Sequence, residues 1–188
     1  MKNALFALSA VAAVASMLAA VPASADSVAS PASPFDVKIG GYFPYDSGYR
    51  NNAGDTFYSV GADYAFKTAE GNPGDTLGVY GDFDQSTNRS YNQVFGAGLQ
   101  YKSDIAHNGK ITSKDLYYAL GIGYYWEQET IKISENPDFF IHNHGNELGG
   151  KAILGFGLTE NVFVEGSYQY LPNDGNASGF GAQIGLRF

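Results

Sequence analysis

The sequence contains no cysteine, and it has only two methionines and one tryptophan in 188 residues. Without cysteine, disulfide bonds, thiol nucleophiles and cysteine-ligated metal centres are excluded. Positive charge is also scarce, because 11 Lys and Arg stand against 19 Asp and Glu, for a formal net charge of −8. That balance argues against nucleic acid as a partner. After residue 25, no apolar run approaches the roughly 18 residues that a membrane-spanning helix needs.

The N-terminus has the layout of a secretory signal peptide. Lys2 supplies a positive charge, an Ala-rich apolar run follows from Ala4 to Val21, and small residues precede Asp26. This arrangement predicts a cleaved signal peptide over residues 1–25. Residues 26–34 are rich in Ser, Ala and Pro and predict a flexible lead-in, and no composition break divides residues 35–188, which we interpret as one domain.

Period-two alternation of apolar and polar residues dominates the chain from Phe35 onward, whereas helical periodicity is hard to find. Eight segments alternate in this way, each near or slightly above the roughly 9–11 residues that a tilted strand needs to cross a bilayer. Turn-forming stretches separate them. The predicted strands are Phe35–Phe43, Asp55–Phe66, Thr76–Asp84, Ser90–Lys102, Lys114–Trp126, Glu147–Leu158, Val162–Leu171 and Gly179–Phe188.

These strands have one apolar face and one charged, glycine-rich face. Alternation fits a soluble barrel with apolar residues inside and a membrane barrel with them outside equally well. Aromatic residues concentrate near the strand ends, and the even strand number lets the last strand close against the first. These features favour the membrane form. We therefore predict an all-β fold, an eight-stranded antiparallel up-and-down transmembrane β-barrel.

The last ten residues, GFGAQIGLRF, form the most regular strand and end on a bare aromatic residue. With the signal peptide and eight amphipathic strands, this segment resembles the small outer-membrane β-barrels of the OmpA/OmpX/OmpW-like group. The resemblance implies location in the cell outer membrane, in contact with its lipid and lipopolysaccharide. It also implies that the barrel-assembly machinery recognises the terminal residues Phe180, Ile184, Leu186 and Phe188.

The charged face predicts an interior network, because eight-stranded barrels have a lumen about filled by their own side chains. Buried charges are costly unless paired, so we expect these groups to satisfy one another. The predicted function is accordingly a structural and surface-interaction role, and the alternative is a narrow channel or carrier for ions or small, including hydrophobic, solutes. The network residues are Asp36, Lys38, Asp63, Asp82, Lys151, Glu165 and Arg187.

The longest predicted loop, Glu127–Asn146, carries an apolar tip. Its residues Phe139, Phe140 and Ile141 either pack onto neighbouring loops or contact a surface ligand or the lipid headgroup zone. His142 and His144 are weak candidates for zinc or copper ligands, together with Asp138 and Glu147, and we predict neither a bound metal nor a cofactor.

Whether the protein is expected to be an enzyme depends on the residues near His142. The outer-membrane lipid A deacylases, which resemble this scaffold, use a His and a Ser two residues apart, but neither second neighbour of His142 is serine. Ser134 lies in the same predicted loop, and nothing in the sequence arranges the two as base and nucleophile. We therefore predict that the protein is not an enzyme.

Overall fold

The computed structural model describes residues 34–69, 72–87, 92–105, 116–135, 138–172 and 177–188, without the side chains of 52–53, 69, 72–73 and 129–143. These residues form a closed barrel of antiparallel strands joined in chain order, which confirms the predicted fold class. The predicted signal peptide lies outside the described residues. The strands are β1 (Phe35–Pro44), β2 (Phe57–Ala69), β3 (Asn72–Ser86), β4 (Gln93–Asp104), β5 (Leu116–Glu135), β6 (Asp138–Gly157), β7 (Val162–Tyr170) and β8 (Gly179–Arg187).

The barrel closes between its first and last strands. β1 and β8 pair from Asp36 opposite Arg187 to Pro44 opposite Gly179. The final residue extends this closure, because the Phe188 N–H donates to the Phe35 carbonyl oxygen at 2.8 Å. In a closed barrel, the backbone groups that would be free at the edges of an open sheet are paired. In a chain without disulfide bonds, this closure can be the main constraint on the fold.

Alternation in the sequence was compatible with either face of the strands lying inside the barrel. The structure shows which face lies inside. Ile39 on β1 is 62% exposed, whereas its neighbour Lys38 is 1% exposed. The same contrast separates Leu154 from Lys151 on β6, at 54% and 6%. Apolar side chains therefore cover the outside of the barrel and charged side chains fill its inside, as the membrane form requires.

Aromatic rings pair on the outer surface near both ends of the barrel. At the end where β1 begins and β8 ends, the Phe35 and Phe188 ring centroids lie 6.3 Å apart. At the opposite end, the Phe95 and Trp126 centroids lie 5.3 Å apart and those of Tyr168 and Phe180 lie 5.0 Å apart. We call these the terminal end and the loop end.

Glycines on the inner face make room for inward aromatic rings. Gly155 lies directly opposite Tyr117, and a Cβ at Gly155 would overlap the Tyr117 ring. Gly185 and Phe163 have the same relationship between β7 and β8. A ring that lies across a glycine fills the narrow interior without forcing the strands apart.

The connection between β1 and β2 contains a short helix, α1 (Ser47–Ala53), where the sequence predicted only a turn. Asp46 caps its N-terminus, and an Asp46 carboxylate oxygen accepts the Tyr49 N–H at 2.8 Å. The helix was missed because seven residues are too few for a period to emerge, although an Asp before the first turn is a known N-cap signal. No helix in the described residues is long and apolar enough to cross a membrane.

The prediction of a loop over Glu127–Asn146 is wrong. β5 continues to Glu135 and β6 begins at Asp138, so these residues form a long regular hairpin. The prediction limited each strand to the thickness of a bilayer, yet a strand can continue beyond the barrel where its sequence favours extended backbone. Thr130, Ile131 and Ile133 supply that preference as β-branched residues.

Candidate functional site

All seven residues of the predicted interior network are buried and lie inside the barrel. They come from β1, β2, β3, β6, β7 and β8, so their side chains converge from most of the circumference. Five of them, together with a cation that the sequence analysis did not include, form one cluster toward the terminal end. We call it the terminal cluster, and its members are Asp36, Lys38, Asp63, Lys102, Glu165 and Arg187.

Lys38 is the centre of one half of the terminal cluster. Its Nζ lies 3.0 Å from Asp63 Oδ2 and 3.1 Å from Glu165 Oε2, with both the Lys38 and the Glu165 side chains fully buried. One ammonium thus joins carboxylates of β2 and β7, which stand on opposite sides of β1 in the barrel. These ion pairs cross the interior of the barrel.

Lys102 completes the other half of the cluster. Asp36 and Asp63 face each other directly across the β1–β2 ladder, and Lys102 Nζ lies 2.8 Å from Asp36 and 3.4 Å from Asp63. Arg187 Nε adds a contact of 3.1 Å to Asp36 Oδ1. With three carboxylates and three cations, the terminal cluster is formally neutral, and this balance offsets much of the electrostatic cost of its burial.

Two aromatic residues wall the terminal cluster. The Tyr117 hydroxyl donates to Glu165 Oε1 at 2.8 Å, and Lys102 Nζ lies 5.3 Å from the centroid of the Tyr117 ring. Arg187 Cζ lies 5.1 Å from the centroid of the Phe163 ring. Because ring faces attract cations, these aromatics stabilise Lys102 and Arg187 in their buried positions.

A second polar group lies nearer the loop end. Lys151 Nζ contacts Asp82 Oδ2 at 2.7 Å, and Asp84 follows on the same face of β3. Beside this pair, Lys151 Nζ lies 5.6 Å from the centroid of the Tyr80 ring, and the hydroxyls of Tyr80 and Tyr125 lie 2.8 Å apart. The network therefore has two levels, and they adjoin, because a Cβ at Gly61 would lie 2.7 Å from Asp82 Oδ1 and 3.2 Å from Lys38 Cε.

A cluster of buried aromatic and aliphatic side chains lies toward the loop end. The Tyr49 ring, carried by α1, stacks on Phe57 at a centroid distance of 6.0 Å and an interplanar angle of 13°. The Tyr42 hydroxyl donates to the Ala177 carbonyl oxygen, which ties β1 to the connection between β7 and β8. We call this group the apolar cap, and its members are Tyr42, Tyr49, Phe57, Tyr80, Val94, Tyr125, Leu171 and Ala177.

Four interior charges were not among the predicted network residues. Lys102 is the most consequential, because it holds Asp36 and Asp63 together. The signal was present, since Lys102 lies two residues after Gln100 and therefore on the same face of its strand. The same parity argument places Asp84 with Asp82, Asp104 with Lys102, and Glu147 with Lys151, and all are buried.

The four residues predicted as the assembly signal lie on the outer face of the barrel. Phe180, Ile184 and Leu186 project from β8, and Phe188 follows its end. Each is about half exposed, so a receptor could reach the row before the barrel is embedded. Recognition by the assembly machinery stays a prediction.

The metal candidates occupy an extended strand. His144 is exposed, whereas Glu147 points the other way and is buried, so these two do not converge on one ion. The side chains of Asp138 and His142 lie outside the described residues. Across the described side chains, no three His, Asp or Glu residues are grouped as a metal site.

The hairpin register also bears on the His–Ser pair considered for catalysis. Ser134 is opposite Phe139, three residues along β6 from His142, which is opposite Thr130. At about 3.4 Å per residue the two backbones are roughly 10 Å apart, so they are not cross-strand neighbours. The predicted contact residues Phe139, Phe140 and Ile141 lie on the same hairpin, and their side chains are outside the description.

No protein-family model matches the chain, and no curated protein matches it. Solved structures resemble it. The N-terminal β-barrel domain of Pseudomonas aeruginosa OprF has a TM-score of 0.58 at 14% identity, covering 83% of this chain and 98% of that one. Ail, the attachment invasion locus protein of Yersinia pestis, has a TM-score of 0.51 at 17% identity, covering 82% and 97%.

Neisserial surface protein A has a lower TM-score of 0.46 at 14% identity, covering 81% of this chain and 95% of that one. The similarity to OprF and Ail establishes the fold. Their sequence identity to this chain is too low to indicate a shared function. This chain therefore has the fold of the small eight-stranded outer-membrane barrels, which confirms the predicted resemblance.

Proposed function

We propose that this protein is an integral outer-membrane barrel with a closed lumen that anchors a surface-exposed hairpin. In this proposal the barrel has no catalytic role and no cofactor, and its function is structural and interactive. The secretory layout of residues 1–25 supports export, and the fold is one that outer-membrane proteins use. Contact with lipopolysaccharide and delivery by the assembly machinery are parts of the same proposal.

The outward apolar surface supports the membrane location. Ile39, Ile122 and Leu154 are each more than half exposed and belong to different strands. An aqueous protein would be destabilised by a continuous apolar surface around its whole circumference. A bilayer instead solvates that surface, while aromatic pairs at both ends match the headgroup regions.

The main support for a closed lumen is the terminal cluster. Its ion pairs link five strands across the interior, β1, β2, β4, β7 and β8, and Tyr117 and Phe163 lie beside them. Moving these groups aside would leave buried charges without partners, at a cost of several kcal/mol for each. The apolar cap supports closure at the other end.

One observation favours the narrow channel as a second candidate. In the described part of the chain, buried carboxylates outnumber buried cations, chiefly through the level nearer the loop end. The carboxylates are Asp36, Asp63, Asp82, Asp84, Asp104, Glu147 and Glu165, and the cations are Lys38, Lys102, Lys151 and Arg187. A lumen with this excess would prefer cations, so any conduction should be cation-selective.

Two measurements on the purified protein test the proposal. Unboiled protein in SDS should migrate differently from boiled protein, as a closed barrel that resists SDS does. In planar bilayers it should show no stable unitary current, because the terminal cluster blocks the lumen. Stable cation-selective currents, with normal heat-modifiable migration, would contradict the closed lumen and favour the channel. They would not contradict the membrane barrel.

A further inference from the structure

The level of the network nearer the loop end carries more negative than positive charge. Asp82 and Glu147 lie in one cross-strand row, Asp84 follows Asp82 on the same face of β3, and all three are buried. The buried cation at this level is Lys151, because the other buried cations of the described chain belong to the terminal cluster, which is neutral by itself. Three carboxylates and one ammonium leave this level with a formal charge of −2.

Asp84 ends a row of hydrogen bonds that runs around the inside of the barrel. Ser59 is directly opposite Asp84 on β2, and only Gly40 on β1 separates Ser59 from Gln183 on β8. Because Gly40 has no side chain, the Gln183 amide crosses β1, and its Nε2 donates to Ser59 Oγ at 2.7 Å. The Ser59 hydroxyl in turn donates to the Asp84 carboxylate. The row therefore directs its amide and hydroxyl donors toward Asp84.

Three buried oxygen atoms beside this row accept no hydrogen bond within the described chain. They are Asp82 Oδ1, Asp84 Oδ1 and Gln183 Oε1, on residues that are 3%, 2% and 6% exposed. We call these atoms the oxygen group. A buried carboxylate is destabilising unless hydrogen bonds and a positive charge compensate it. Water can donate hydrogen bonds to the oxygen group, but it does not neutralise the charge.

We infer that the oxygen group binds a calcium ion inside the barrel. A divalent cation cancels the formal charge of this level. Calcium accepts carboxylate and amide oxygens at roughly 2.3–2.6 Å in flexible geometry, whereas magnesium demands a regular octahedron and dehydrates reluctantly. Asp82 and Asp84 are two residues apart on one face of a strand, so their Cα atoms are about 7 Å apart. Carboxylates at that spacing can converge on one ion.

Asp82 has a free side for this ion. Its Oδ2 contacts Lys151 at 2.7 Å, whereas its Oδ1 lies over Gly61, where a Cβ would come within 2.7 Å of it. Gly61 is two residues from Ser59, so Asp82 Oδ1 and the hydrogen-bonded row lie over the same strand, β2. An ion held this way is structural and supplies no catalysis. The inference requires the barrel, and it does not depend on a closed lumen.

Calcium-dependent stability of the purified full-length barrel tests the inference. The protein is folded in a zwitterionic detergent with either EDTA or calcium chloride, so that the ion is present while the barrel assembles. With a Kd of about 0.1 mM, about 1 mM calcium should raise the ratio of folded to unfolded protein about tenfold at a fixed urea concentration. Magnesium at the same concentration should raise this ratio less than about twofold.

D84N is the decisive variant. The amide keeps the shape of the side chain and removes its charge, so calcium should no longer change the stability. In EDTA, D84N should be more stable than the wild type, because the uncompensated charge is gone, whereas a variant that only damaged the fold would be less stable. Q183M removes Oε1 and should weaken calcium binding about tenfold. D55N removes the same charge from an exposed residue at the loop end and should respond to calcium as the wild type does.

The inference fails if the wild type is equally stable in EDTA and in calcium, which would mean that a proton neutralises Asp84. It also fails if calcium stabilises D84N as much as the wild type, or if D55N loses the response, because either result indicates screening of surface charge. Equal stabilisation by magnesium would have the same meaning. Loss of heat-modifiable migration would instead contradict the membrane barrel, so the two failures are distinguishable.

Discussion

Asp36 and Asp63 lie directly opposite one another on neighbouring strands, and a single ammonium, Lys102 Nζ, contacts both at 2.8 and 3.4 Å. Like charges in opposed cross-strand positions destabilise a sheet unless something neutralises them. Lys102 does so from β4, which pairs with neither β1 nor β2 in the barrel. The contact therefore couples the β1–β2 ladder to a strand that is not its neighbour.

Removal of Lys102 should be strongly destabilising. K102M leaves the buried terminal cluster with three carboxylates against two cations, Lys38 and Arg187, and we expect a loss of about 3–5 kcal/mol in the free energy of unfolding. Reversible urea unfolding in lipid vesicles measures this loss. The control is K67M on β2, where the lysine is exposed and the expected change is under about 0.5 kcal/mol.

The double variant K102M/D36N separates charge from packing. Because the D36N side chain carries no charge, it removes the repulsion, and part of the stability lost in K102M should return. A K102M barrel as stable as the wild type would contradict the role of the terminal cluster.

The glycines under inward rings should not tolerate a methyl group. In G155A the new Cβ overlaps the Tyr117 ring, which cannot move freely because its hydroxyl donates to Glu165. We expect a loss of about 1–3 kcal/mol in the same unfolding assay. G166A on β7 is the matched control, since a Cβ at that outward position meets nothing within 4 Å. Equal stability of the two variants would show that the lumen has spare room.

A charge placed on the outer face should destabilise the barrel strongly at the middle of a strand and only slightly in a connection between strands. I122R replaces a residue that is 56% exposed on the outer surface of β5, and we expect about 2–4 kcal/mol of destabilisation in a bilayer. Y45R, in the connection after β1, should cost less than about 1 kcal/mol although Tyr45 is also exposed. Unfolding in vesicles compares the two, and a tolerated I122R would mean that water contacts this face.

The N-cap of α1 should control access to the connection between β1 and β2. D46A removes the acceptor for the Tyr49 N–H and should cost the helix about 1 kcal/mol. Because Arg50 lies in α1, trypsin reports local opening there, and cleavage after Arg50 should be about fivefold faster. Asn is an equivalent cap, so D46N should be cleaved at the wild-type rate. Fast cleavage of both variants would exclude the cap as the cause.

The strand pattern was predictable because each strand has a simple two-sided environment. Lys38, for example, has an exposed apolar neighbour on either side, Val37 and Ile39, and this contrast repeats around the barrel. Alternation specifies which residues share a face, but it does not say which face is inside. That choice depended on the aromatic residues at the strand ends.

Partners within the lumen were not predictable in the same way. Asp82 and Asp63 have the same strand environment in the sequence, yet one contacts Lys151 and the other contacts Lys38 and Lys102. Their partners depend on the stagger between strands, which the alternation of a single strand does not contain. The hairpin was missed for a different reason, since the length of a strand outside the membrane is not limited by bilayer thickness.

The central claim is that acyl chains contact the apolar outside of the barrel while the charges lie at its axis. The protein has one tryptophan, Trp126, so W126F/L154W carries a single reporter near the middle of the stretch where β6 pairs with both neighbours. In vesicles of lipids brominated along the acyl chain, we expect strong quenching of the fluorescence of this variant and little quenching by aqueous acrylamide. Fluorescence unaffected by the brominated lipids would place residue 154 in a protein interior and contradict the account.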